Sequence, residues 1–322
     1  MRRALAISLV SLLIVAFTQT SCDFRRGEPG TKSNPIRLFF MPLKGGDAFA
    51  KNAPIIQKFL EQDTGLAIKP IAAPDFLTIV KAFGNRQADV AFTNTLGYLM
   101  AHDLAKAEPR LLLVYGDVYR AYRGEIISVV GGPINSPEDI SGKSIAFSDP
   151  FSASGYLYAL KFLNDRSIKP SKIIFAGGHR DAVEMLYKGQ VDAAATYHER
   201  PSPSGQELDA RAELLIQHPD IMSKLKVVAL TDEIPSGPVA FRHDLPQQVK
   251  AKLVAGLVEF SRTQEGRRVL GDLYNATGFA FADEADYDGV RGVLKKLGKS
   301  VAEVVPGGIT YYNTNISPLL SN

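Results

Sequence analysis

The sequence lacks the residues from which disulfides, metal centres and nucleic-acid surfaces are usually built. Its 322 residues include one cysteine, so no internal disulfide can form. The five histidines do not have the spacing of a metal site, and one cysteine cannot complete a thiolate site. No run of lysine and arginine with interleaved aromatic residues occurs. We therefore expect no metal, no cofactor and no nucleic-acid partner.

The sequence also lacks a large excess of charge and a second long hydrophobic run. The formal net charge of +3 includes Arg2 and Arg3, so removal of an N-terminal segment would leave about +1, too little to favour a polyanionic partner. Beyond residue 22, no apolar stretch approaches the length that spans a membrane. With 45% hydrophobic residues, a chain of this length is expected to form roughly two domains.

The usual signatures of nucleotide binding and nucleophilic catalysis are absent. Neither G-x-G-x-x-G nor G-x-S-x-G occurs. Residues 141–144, Ser-Gly-Lys-Ser, imitate the end of a phosphate-binding P-loop, but Pro137 stands where that loop requires glycine. No set of nucleophile, base and orienting residue is visible. We therefore expect a binding protein rather than an enzyme.

Residues 1–22 have the pattern of a secretory signal. Arg2 and Arg3 form a positive start, residues 4–17 are mainly apolar, and residues 18–22 are small and polar. The apolar run is too short for a comfortable membrane span. The segment therefore predicts export and a periplasmic or otherwise extracytoplasmic location.

Cys22 resembles the lipid-acceptor cysteine of bacterial lipoproteins, because it follows the apolar run directly and has the small Ser21 before it. Gln19 departs from that pattern, which usually has an aliphatic residue three positions before the cysteine. The alternative is ordinary signal cleavage with an incidental free thiol. Residues 23–34 are predicted to form a flexible tether. We expect this tether and a lipid on Cys22 to hold a soluble body at a membrane.

The rest of the chain alternates between predicted strands and helices. The predicted strands of this alternation are residues 36–41, 66–72, 88–92, 144–147, 172–176 and 191–195. Residues 111–115 and 124–131 are also predicted to be extended, residues 201–207 to form a surface loop, residues 226–230 a strand and residues 234–241 a connecting segment. The last helices are predicted at residues 246–262, 265–275 and 286–297. This alternation favours an α/β architecture with a largely parallel sheet.

A short internal repeat indicates two similar halves. Residues 87–93 and 190–196 share the pattern Gln-x-Asp-x-Ala-x-Thr. The match is short enough to arise by chance, but two lobes of the same topology would produce it.

Three loops that follow predicted strands carry polar residues suited to a helix start. They are Thr93-Asn94-Thr95, Ser152-Ala153-Ser154-Gly155 and Gly177-Gly178-His179. In open α/β sheets, ligands bind beyond the carboxyl ends of the strands, where helix N-termini point N–H groups at anions. Each loop alone is equally typical of a capped helix. Their combination predicts a site for an anion with several oxygens, held from both halves of the chain.

Three motifs carry a resemblance to a known family. Residues 149–156 look like the motif D-P-x-S-x-S-G-[YF], residues 178–183 with 189–194 look like S/G-H-x-x-A-[VL] followed by G-x-V-D-A-A, and residues 285–291 contain D-Y-x-x-[VI]-R. From about residue 35 to 297, the chain resembles the periplasmic phosphate/phosphite/phosphonate-binding proteins of ABC importers.

The resemblance implies a two-lobed type II periplasmic binding protein, in which each lobe is a mainly parallel sheet flanked by helices and the chain crosses the hinge twice. Lobe 1 would comprise residues 35–118 and 238–300, lobe 2 residues 119–237, and residues 301–322 a C-terminal tail. Its function would be to bind a small phosphorus oxyanion (phosphonate, phosphite or phosphate) between lobes that close on it. It would deliver this anion, as a monomer, to the permease of an ABC importer. Alternatives are a ligand-binding subunit of a membrane sensor or, with less support, an enzyme.

The resemblance also implies a set of ligand-binding residues. The oxygens on phosphorus would lie against Ser152, Ala153, Ser154 and His179 of lobe 2 and face Thr93, Asn94, Thr95 and Tyr98 of lobe 1. His179 would either donate to the ligand or only cap a helix. Phe76 stands where many members have tyrosine, and Gly237 stands where aminophosphonate binders tend to have an acidic residue, a role that Glu199 could take over. From Gly237 we expect a ligand without an amine.

Overall fold

The computed structural model describes residues 27–41, 46–116, 118–199, 209–305, 307, 308 and 310. The predicted signal with Cys22, the loop predicted at residues 201–207 and most of the predicted C-terminal tail lie outside these ranges. Within the described part of the chain, none of the helices combines the length and the apolar character that crossing a membrane requires.

Strands and helices alternate along the chain, which confirms the predicted α/β class. The strands are, in chain order, β1 (Ile36–Phe40), β2 (Ile68–Ala72), β3 (Val90–Phe92), β4 (Glu108–Val114), β5 (Ala121–Val129), β6 (Ser144–Phe147), β7 (Lys172–Phe175), β8 (Ala193–His198), β9 (Leu225–Pro235), β10 (Pro238–Phe241) and β11 (Gly278–Phe281). The helices are α1 (Gly46–Thr64), α2 (Phe76–Gly84), α3 (Thr95–Ala105), α4 (Ala159–Asp165), α5 (His179–Tyr187), α6 (Ile221–Lys224), α7 (Gln247–Arg262), α8 (Gln264–Tyr274), α9 (Asp288–Lys296) and α10 (Val301–Val304).

The strands form two sheets, one in each lobe. The lobe 1 sheet has the order β11-β4-β10-β3-β1-β2, and the lobe 2 sheet has the order β7-β6-β8-β5-β9. In lobe 1, β1 pairs in parallel with β2 and β3. In lobe 2, β6 pairs in parallel with β7 and β8. All other pairs in both sheets are antiparallel.

The sheets are therefore mixed. The sequence had led us to expect mainly parallel sheets. The reason is the double crossing between lobes. Strand β4 leads the chain out of lobe 1 and β10 leads it back, so these neighbours must run in opposite directions. The same holds for β5 and β9, which enter and leave lobe 2. Both lobe boundaries predicted from the sequence fall between strands of different sheets.

Central strands bury side chains on both faces of each sheet. Because side chains alternate along a strand, Leu38 and Phe40 of β1 share a cluster with α1, α7 and α8, whereas Phe39 shares one with α2, α3 and α9. In β6, Ile145 belongs to the cluster on the α4 side and Ala146 to the cluster on the α5 side. Each lobe is thus a three-layer sandwich of helix, sheet and helix.

The repeated Gln-x-Asp-x-Ala-x-Thr segments occupy equivalent places in the two lobes. The Asp89 carboxylate accepts the backbone N–H of Arg37 in β1, with 2.9 Å between N and Oδ2. The Asp192 carboxylate accepts the backbone N–H of Ser144 in β6, at 2.8 Å. Each aspartate therefore ties the approach to one strand to the start of its parallel neighbour. In each lobe, the repeat therefore leads the chain to the same end of the sheet.

Three segments differ from their predicted structure. Residues 27–34, assigned to the flexible tether, form a hydrogen-bonded turn in which the buried Gly30 accepts from the backbone of Ala67 at 2.7 Å. Residues 278–281, for which no strand was predicted, form edge strand β11, and β10 lies inside the sheet rather than in a connecting segment. The start of the predicted tail forms α10, with Val301 and Val304 buried. In each case a pairing with a distant segment decides the structure.

Candidate functional site

A cavity of about 170 Å³ lies between the two lobes. Its wall is built at the strand ends and at the two places where the chain crosses between the sheets, as expected for open α/β sheets. The lining residues are Met41, Thr93, Asn94, Thr95, Leu113, Tyr115, Tyr122, Ser154, His179, Tyr197, Glu199 and Gly237. The structure thus brings all three predicted loops to one place, with residues 177 and 178 positioning His179.

The lobe 1 side of the cavity is the N-terminal end of α3. Asn94 caps this helix, because its Oδ1 accepts the N–H of Gly97 at 2.7 Å. Its other side-chain atom, Nδ2, donates to the carbonyl oxygen of Phe151 in lobe 2 at 2.8 Å. Thr95 donates through Oγ1 to the carbonyl oxygen of Pro235 at 3.0 Å. A positive helix end therefore meets the cavity, with an asparagine whose polar atoms are both engaged by protein.

The lobe 2 side is the Ser/Gly turn. The Ser152 hydroxyl accepts the N–H of Gly155 at 2.9 Å and so caps the π-helical turn Ala153–Tyr158. Ser154 follows and lines the cavity. Position 155 has no room for a side chain, since a Cβ there would lie 2.0 Å from Oγ of Ser148. The close approach that this glycine permits is therefore made by protein, not by a ligand.

His179 starts α5 and is held by two hydroxyl groups. Its Nδ1 lies 2.8 Å from Oγ1 of Thr196, and its Nε2 lies 3.4 Å from Oγ of Ser152. The ring of Tyr197 meets the imidazole edge-on, with 5.0 Å between centroids. Thr196, the last residue of the second repeat, thus fixes the orientation of a histidine in the cavity wall. Both roles considered for His179, ligand donor and helix start, fit this position.

Glu199 places a carboxyl group in a cavity that no lysine or arginine among the described residues lines. Burial, together with the smaller effect of the nearby carboxylates of Glu213 and Asp209, raises the pKa of Glu199 to about 7. Asn275 of lobe 1 donates to its Oε2 at 3.4 Å. Near neutral pH the carboxyl group can therefore be a hydrogen-bond donor when protonated, or a negative charge when ionised.

Three tyrosines form the remaining wall. Burial raises the pKa of Tyr115, Tyr122 and Tyr197, in the case of Tyr122 to about 12. The side chain of Tyr122 also hydrogen bonds to that of Ser154. All three phenols stay neutral at physiological pH. The Tyr197 hydroxyl donates to Oε1 of Glu213 at 2.8 Å, which leaves Tyr115 and Tyr122 as the phenols of this wall that can turn towards a ligand. With Met41 and Leu113 they give the cavity a partly apolar side.

Four predicted site residues do not reach the cavity wall. Ser152 and Ala153 are buried directly behind it, next to Ser154. Tyr98 is fully buried within lobe 1, where its ring packs against that of Tyr287 at 4.6 Å. The ring of Phe76 stacks on that of Phe151 in lobe 2, with 5.7 Å between centroids.

Other lining residues were not predicted. Met41 directly follows β1, Leu113 lies near the end of β4, and Tyr115 and Tyr122 flank the first crossing between lobes. The carboxyl-end rule for strands could have suggested Met41, which follows β1. No local signal marks the two tyrosines, because their place depends on where the lobes meet.

Behind the cavity lies one buried group of acidic and histidine side chains, Glu125, His198 and Asp209, with atoms within 4.8 Å of one another among the described residues. Both carboxylate oxygens of Asp209 accept from the guanidinium of Arg211, at 3.0 and 2.7 Å. Glu125 lies 2.9 Å from Nδ1 of His198, and burial raises the pKa of Glu125 to about 7. These partners make the group a paired polar network rather than an open set of metal ligands.

Two sheets joined by two crossings, with helix N-termini directed at a cavity between them, define a two-lobed periplasmic binding protein. The sequence profile described as "ABC transporter, phosphonate, periplasmic substrate-binding protein" matches residues 41–287. The chain belongs to this family.

Individual relatives agree with the family. The chain is 26% identical over 224 residues to the phosphonates-binding periplasmic protein of Escherichia coli K12, a match that covers 67% of this chain and 63% of that protein. It is 26% identical over 288 residues to the phosphate-import protein PhnD of Mycolicibacterium smegmatis, covering 82% and 86%. The first relative is named for the binding of phosphonates and the second for the import of phosphate.

Solved structures share the fold. A binding protein component of an ABC phosphonate transporter from Pseudomonas aeruginosa superimposes with a TM-score of 0.67 at 19% identity, covering 89% of this chain and 96% of that one. PhnD1 from Prochlorococcus marinus, in complex with methylphosphonate, gives a TM-score of 0.65 at 18% identity, covering 82% and 98%. These likenesses confirm the two-lobed type II architecture.

Proposed function

We propose that the protein is the extracytoplasmic solute-binding protein of an ABC importer and that it binds a small phosphorus oxyanion between its lobes. The observation that carries this proposal is that residues of both lobes line the same cavity. They are Ser154, in the Ser/Gly turn of lobe 2, and Thr93 and Thr95, at the start of α3 in lobe 1. Hydroxyl groups and helix N-termini from both lobes suit an anion with several oxygens.

The geometry explains how an anion is held without a cation. Each hydrogen bond to a charged group contributes about 1.5–3 kcal/mol. Ser154 and His179 of lobe 2 and the N-terminal end of α3 in lobe 1 offer such donors to the cavity. The hydroxyls of Thr93 and Thr95 donate to the carbonyl oxygens of Asn94 and Pro235 and so help to fix this helix start. Since donors of both lobes must reach the same oxygens, the ligand binds the closed arrangement more tightly than an open one. This difference in affinity is what shifts the lobes towards closure.

Other lining residues of the cavity suit the group attached to phosphorus. Met41, Leu113 and Tyr115 offer apolar and aromatic surface, which fits the carbon of an organophosphonate. Gly237 has a packing reason of its own, because a Cβ there would lie 2.4 Å from the backbone oxygen of Thr93. Its lack of a carboxylate therefore no longer argues against an amine. Glu199 supplies a carboxyl group in the cavity, so an aminoalkyl group is a candidate substituent.

Calorimetric titration of the purified protein, stripped of carried-over ligand, tests the proposal. The panel is phosphate, phosphite, methylphosphonate and 2-aminoethylphosphonate, with sulfate as the control anion. We expect tight binding of at least one phosphorus oxyanion and much weaker binding of sulfate. Ser154→Ala should weaken binding tenfold or more, at about 1.4 kcal/mol per factor of ten, whereas the exposed Ser171→Ala should bind normally. No binding across the panel would overturn the proposal.

We also propose that the protein acts as a monomer, held at the membrane by a lipid on Cys22, and delivers its ligand to an importer permease. The family and its relatives support the extracytoplasmic location and the transporter partner. The position of Cys22 after an apolar run supports the anchor. Expression of the full chain in a bacterial host, followed by membrane fractionation, tests the anchor. Cys22→Ser should move the protein to the soluble fraction, and retention in membranes would contradict lipidation.

A further inference from the structure

The lobes touch each other outside the cavity through Phe151, the residue between Pro150 and Ser152 in the Ser/Gly turn. Its ring stacks on that of Phe76 in lobe 1, with 5.7 Å between centroids and 29° between planes. Phe76 is the first residue of α2, and Asp75 before it caps that helix by accepting the N–H of Thr78 at 2.6 Å. Both rings are thus carried by capped turns, which fixes where they meet.

A polar contact reinforces the same point. The carbonyl oxygen of Phe151 accepts a hydrogen bond from Nδ2 of Asn94, at 2.8 Å. Because Oδ1 of Asn94 is held by the N–H of Gly97, the amide group cannot rotate away without uncapping α3. Lobe 1 therefore directs a rigid donor and a rigid ring at a single residue of lobe 2.

The contact between the rings of Phe76 and Phe151 belongs to the protein and not to the ligand site. Neither Phe76 nor Phe151 lines the cavity. Phe151 packs against an apolar cluster in which Ala153, Leu157 and Tyr158 of lobe 2 are continuous with lobe 1 residues such as Leu96 and Ile79. The contact consequently forms whenever the lobes meet, whichever ligand lies between them.

We propose that Phe76, Phe151 and Asn94 form an interlobe clasp, in which Phe76 and Phe151 act as positioning residues for ligand binding. The inference rests on the proposed function, in that the lobes close over the ligand. The clasp lowers the free energy of the closed arrangement by an amount that does not depend on the ligand. The apparent dissociation constant equals the intrinsic one divided by the fraction of closed protein. The clasp therefore tightens the binding of every ligand by the same factor.

This behaviour separates the clasp from a ligand contact. Loss of a group that touches the ligand changes the affinities of different ligands by different factors, because each ligand uses that group differently. Loss of the clasp lowers all affinities equally and leaves their ratio unchanged. It also opens the ligand-free protein, which no ligand contact can do.

The experiment compares Phe151→Ala and Phe76→Ala with Phe175→Ala. Phe175 is a matched control, since it is an aromatic residue of lobe 2 that packs against Tyr156 and Phe147 of the same lobe. Titrations with methylphosphonate and phosphate give the affinities and their ratio, and small-angle X-ray scattering of the ligand-free proteins gives the radius of gyration. Melting temperatures establish that each variant is folded. If an alanine variant is not, Phe151→Leu and Phe76→Leu replace it.

For the two clasp variants we expect affinities that fall on the order of tenfold for both ligands, with an unchanged ratio and a larger radius of gyration without ligand. Phe151→Tyr keeps the ring and should restore both readouts, and Phe175→Ala should match the wild type. A changed affinity ratio, a wild-type affinity or an unchanged radius of gyration in Phe151→Ala would overturn the clasp. Failure of the wild type to bind any phosphorus oxyanion would instead overturn the proposed function, while the scattering still tests the clasp.

Discussion

At the scale of single residues, the site handles charge in an unusual way. The described residues that line the cavity offer the Ser154 hydroxyl, one histidine and the neutral phenols of Tyr115 and Tyr122 to an anion, but no lysine or arginine. Glu199 is the acidic side chain among them, and burial raises its pKa to about 7. A protonated carboxyl group donates a hydrogen bond to an oxyanion, whereas an ionised one repels it. Ligand choice at this wall should therefore depend on pH.

Glu199→Gln tests that dependence. In the wild type, the affinity for methylphosphonate should fall between about pH 6 and pH 8, because Glu199 loses its proton over this interval and then repels the anion. The variant stays neutral, so the ratio of wild-type to variant affinity isolates Glu199 from the ionisation of the ligand itself. We expect this ratio to fall roughly tenfold across the interval, measured by titration calorimetry.

The same comparison of the wild type with Glu199→Gln tests which group on phosphorus the site accepts. For 2-aminoethylphosphonate the ratio should rise with pH, because an ionised carboxylate attracts an ammonium group. A ratio that stays constant for both ligands would show that Glu199 does not face the ligand. Glu233→Gln provides the control, since Glu233 is an exposed carboxylate of lobe 2 outside the cavity.

At the scale of secondary structure elements, Asp89 and Asp192 of the repeat each connect two neighbouring strands, but they accept hydrogen bonds from different kinds of donor. Asp89 is 2% exposed and accepts from the guanidinium groups of both Arg37 and Arg242, at 2.7 and 3.1 Å. Asp192 accepts from the backbone and hydroxyl of Ser144, at 2.8 and 2.6 Å, and these hydrogen bonds lower its pKa. Asp89 thus balances the charge of buried guanidinium groups, whereas Asp192 accepts these hydrogen bonds from neutral donors.

Asp89→Asn and Asp192→Asn should therefore lower the free energy of unfolding by different amounts. The first removes the carboxylate that the largely buried guanidinium of Arg37 pairs with, while Arg242 keeps its ion pair with Asp244, and should lower the free energy of unfolding by about 3 kcal/mol. The second exchanges a charged acceptor for a neutral one and should cost about 1 kcal/mol. Urea unfolding at pH 7 measures both, with the exposed Asp103→Asn as a control expected within about 0.5 kcal/mol of the wild type.

The pH gives a second check on Asp192. Because its folded pKa is lowered, its contribution is present above the unfolded pKa and is lost as the pH falls through the folded pKa. The difference in stability between wild type and Asp192→Asn should therefore shrink in acid. An equal loss of unfolding free energy for Asp89→Asn and Asp192→Asn at pH 7 would contradict this difference between their hydrogen-bond donors.

The elements also show which features a sequence can predict. The parallel strands of each lobe, the Ser/Gly turn and the repeat were predictable, because each rests on a short-range signal: an apolar run, a capping hydroxyl or a repeated aspartate. Strand β11 was not, since residues 278–281 become a strand only by pairing with β4, far away in the sequence. Phe76 was placed at the ligand by resemblance, yet its ring meets Phe151 from the other lobe. Contacts between lobes leave no local pattern in either segment.

At the scale of the whole molecule, the two lobes share structure beyond the two crossings. One buried apolar cluster contains Leu157 and Tyr158 of lobe 2 together with Leu96, Ile79 and Tyr287 of lobe 1. The hydroxyl of Tyr287 donates to the carbonyl oxygen of Ser236, at 2.9 Å, where the chain returns to lobe 1. Packing that is continuous across the hinge couples the stability of one lobe to that of the other.

We therefore expect the protein to unfold in a single thermal transition, with a calorimetric enthalpy close to the van't Hoff enthalpy. Methylphosphonate, or whichever panel ligand binds, should raise the stability of that single unit by about 2.7 kcal/mol at a hundred times its dissociation constant, because it binds only the folded protein. The transition should move to higher temperature without splitting, and sulfate at the same concentration should leave it in place. Two transitions, of which only one responds to the ligand, would show that the lobes are independent units. The cluster would then be a contact of the closed arrangement alone, and closure would have to be driven by the ligand and the residues around it.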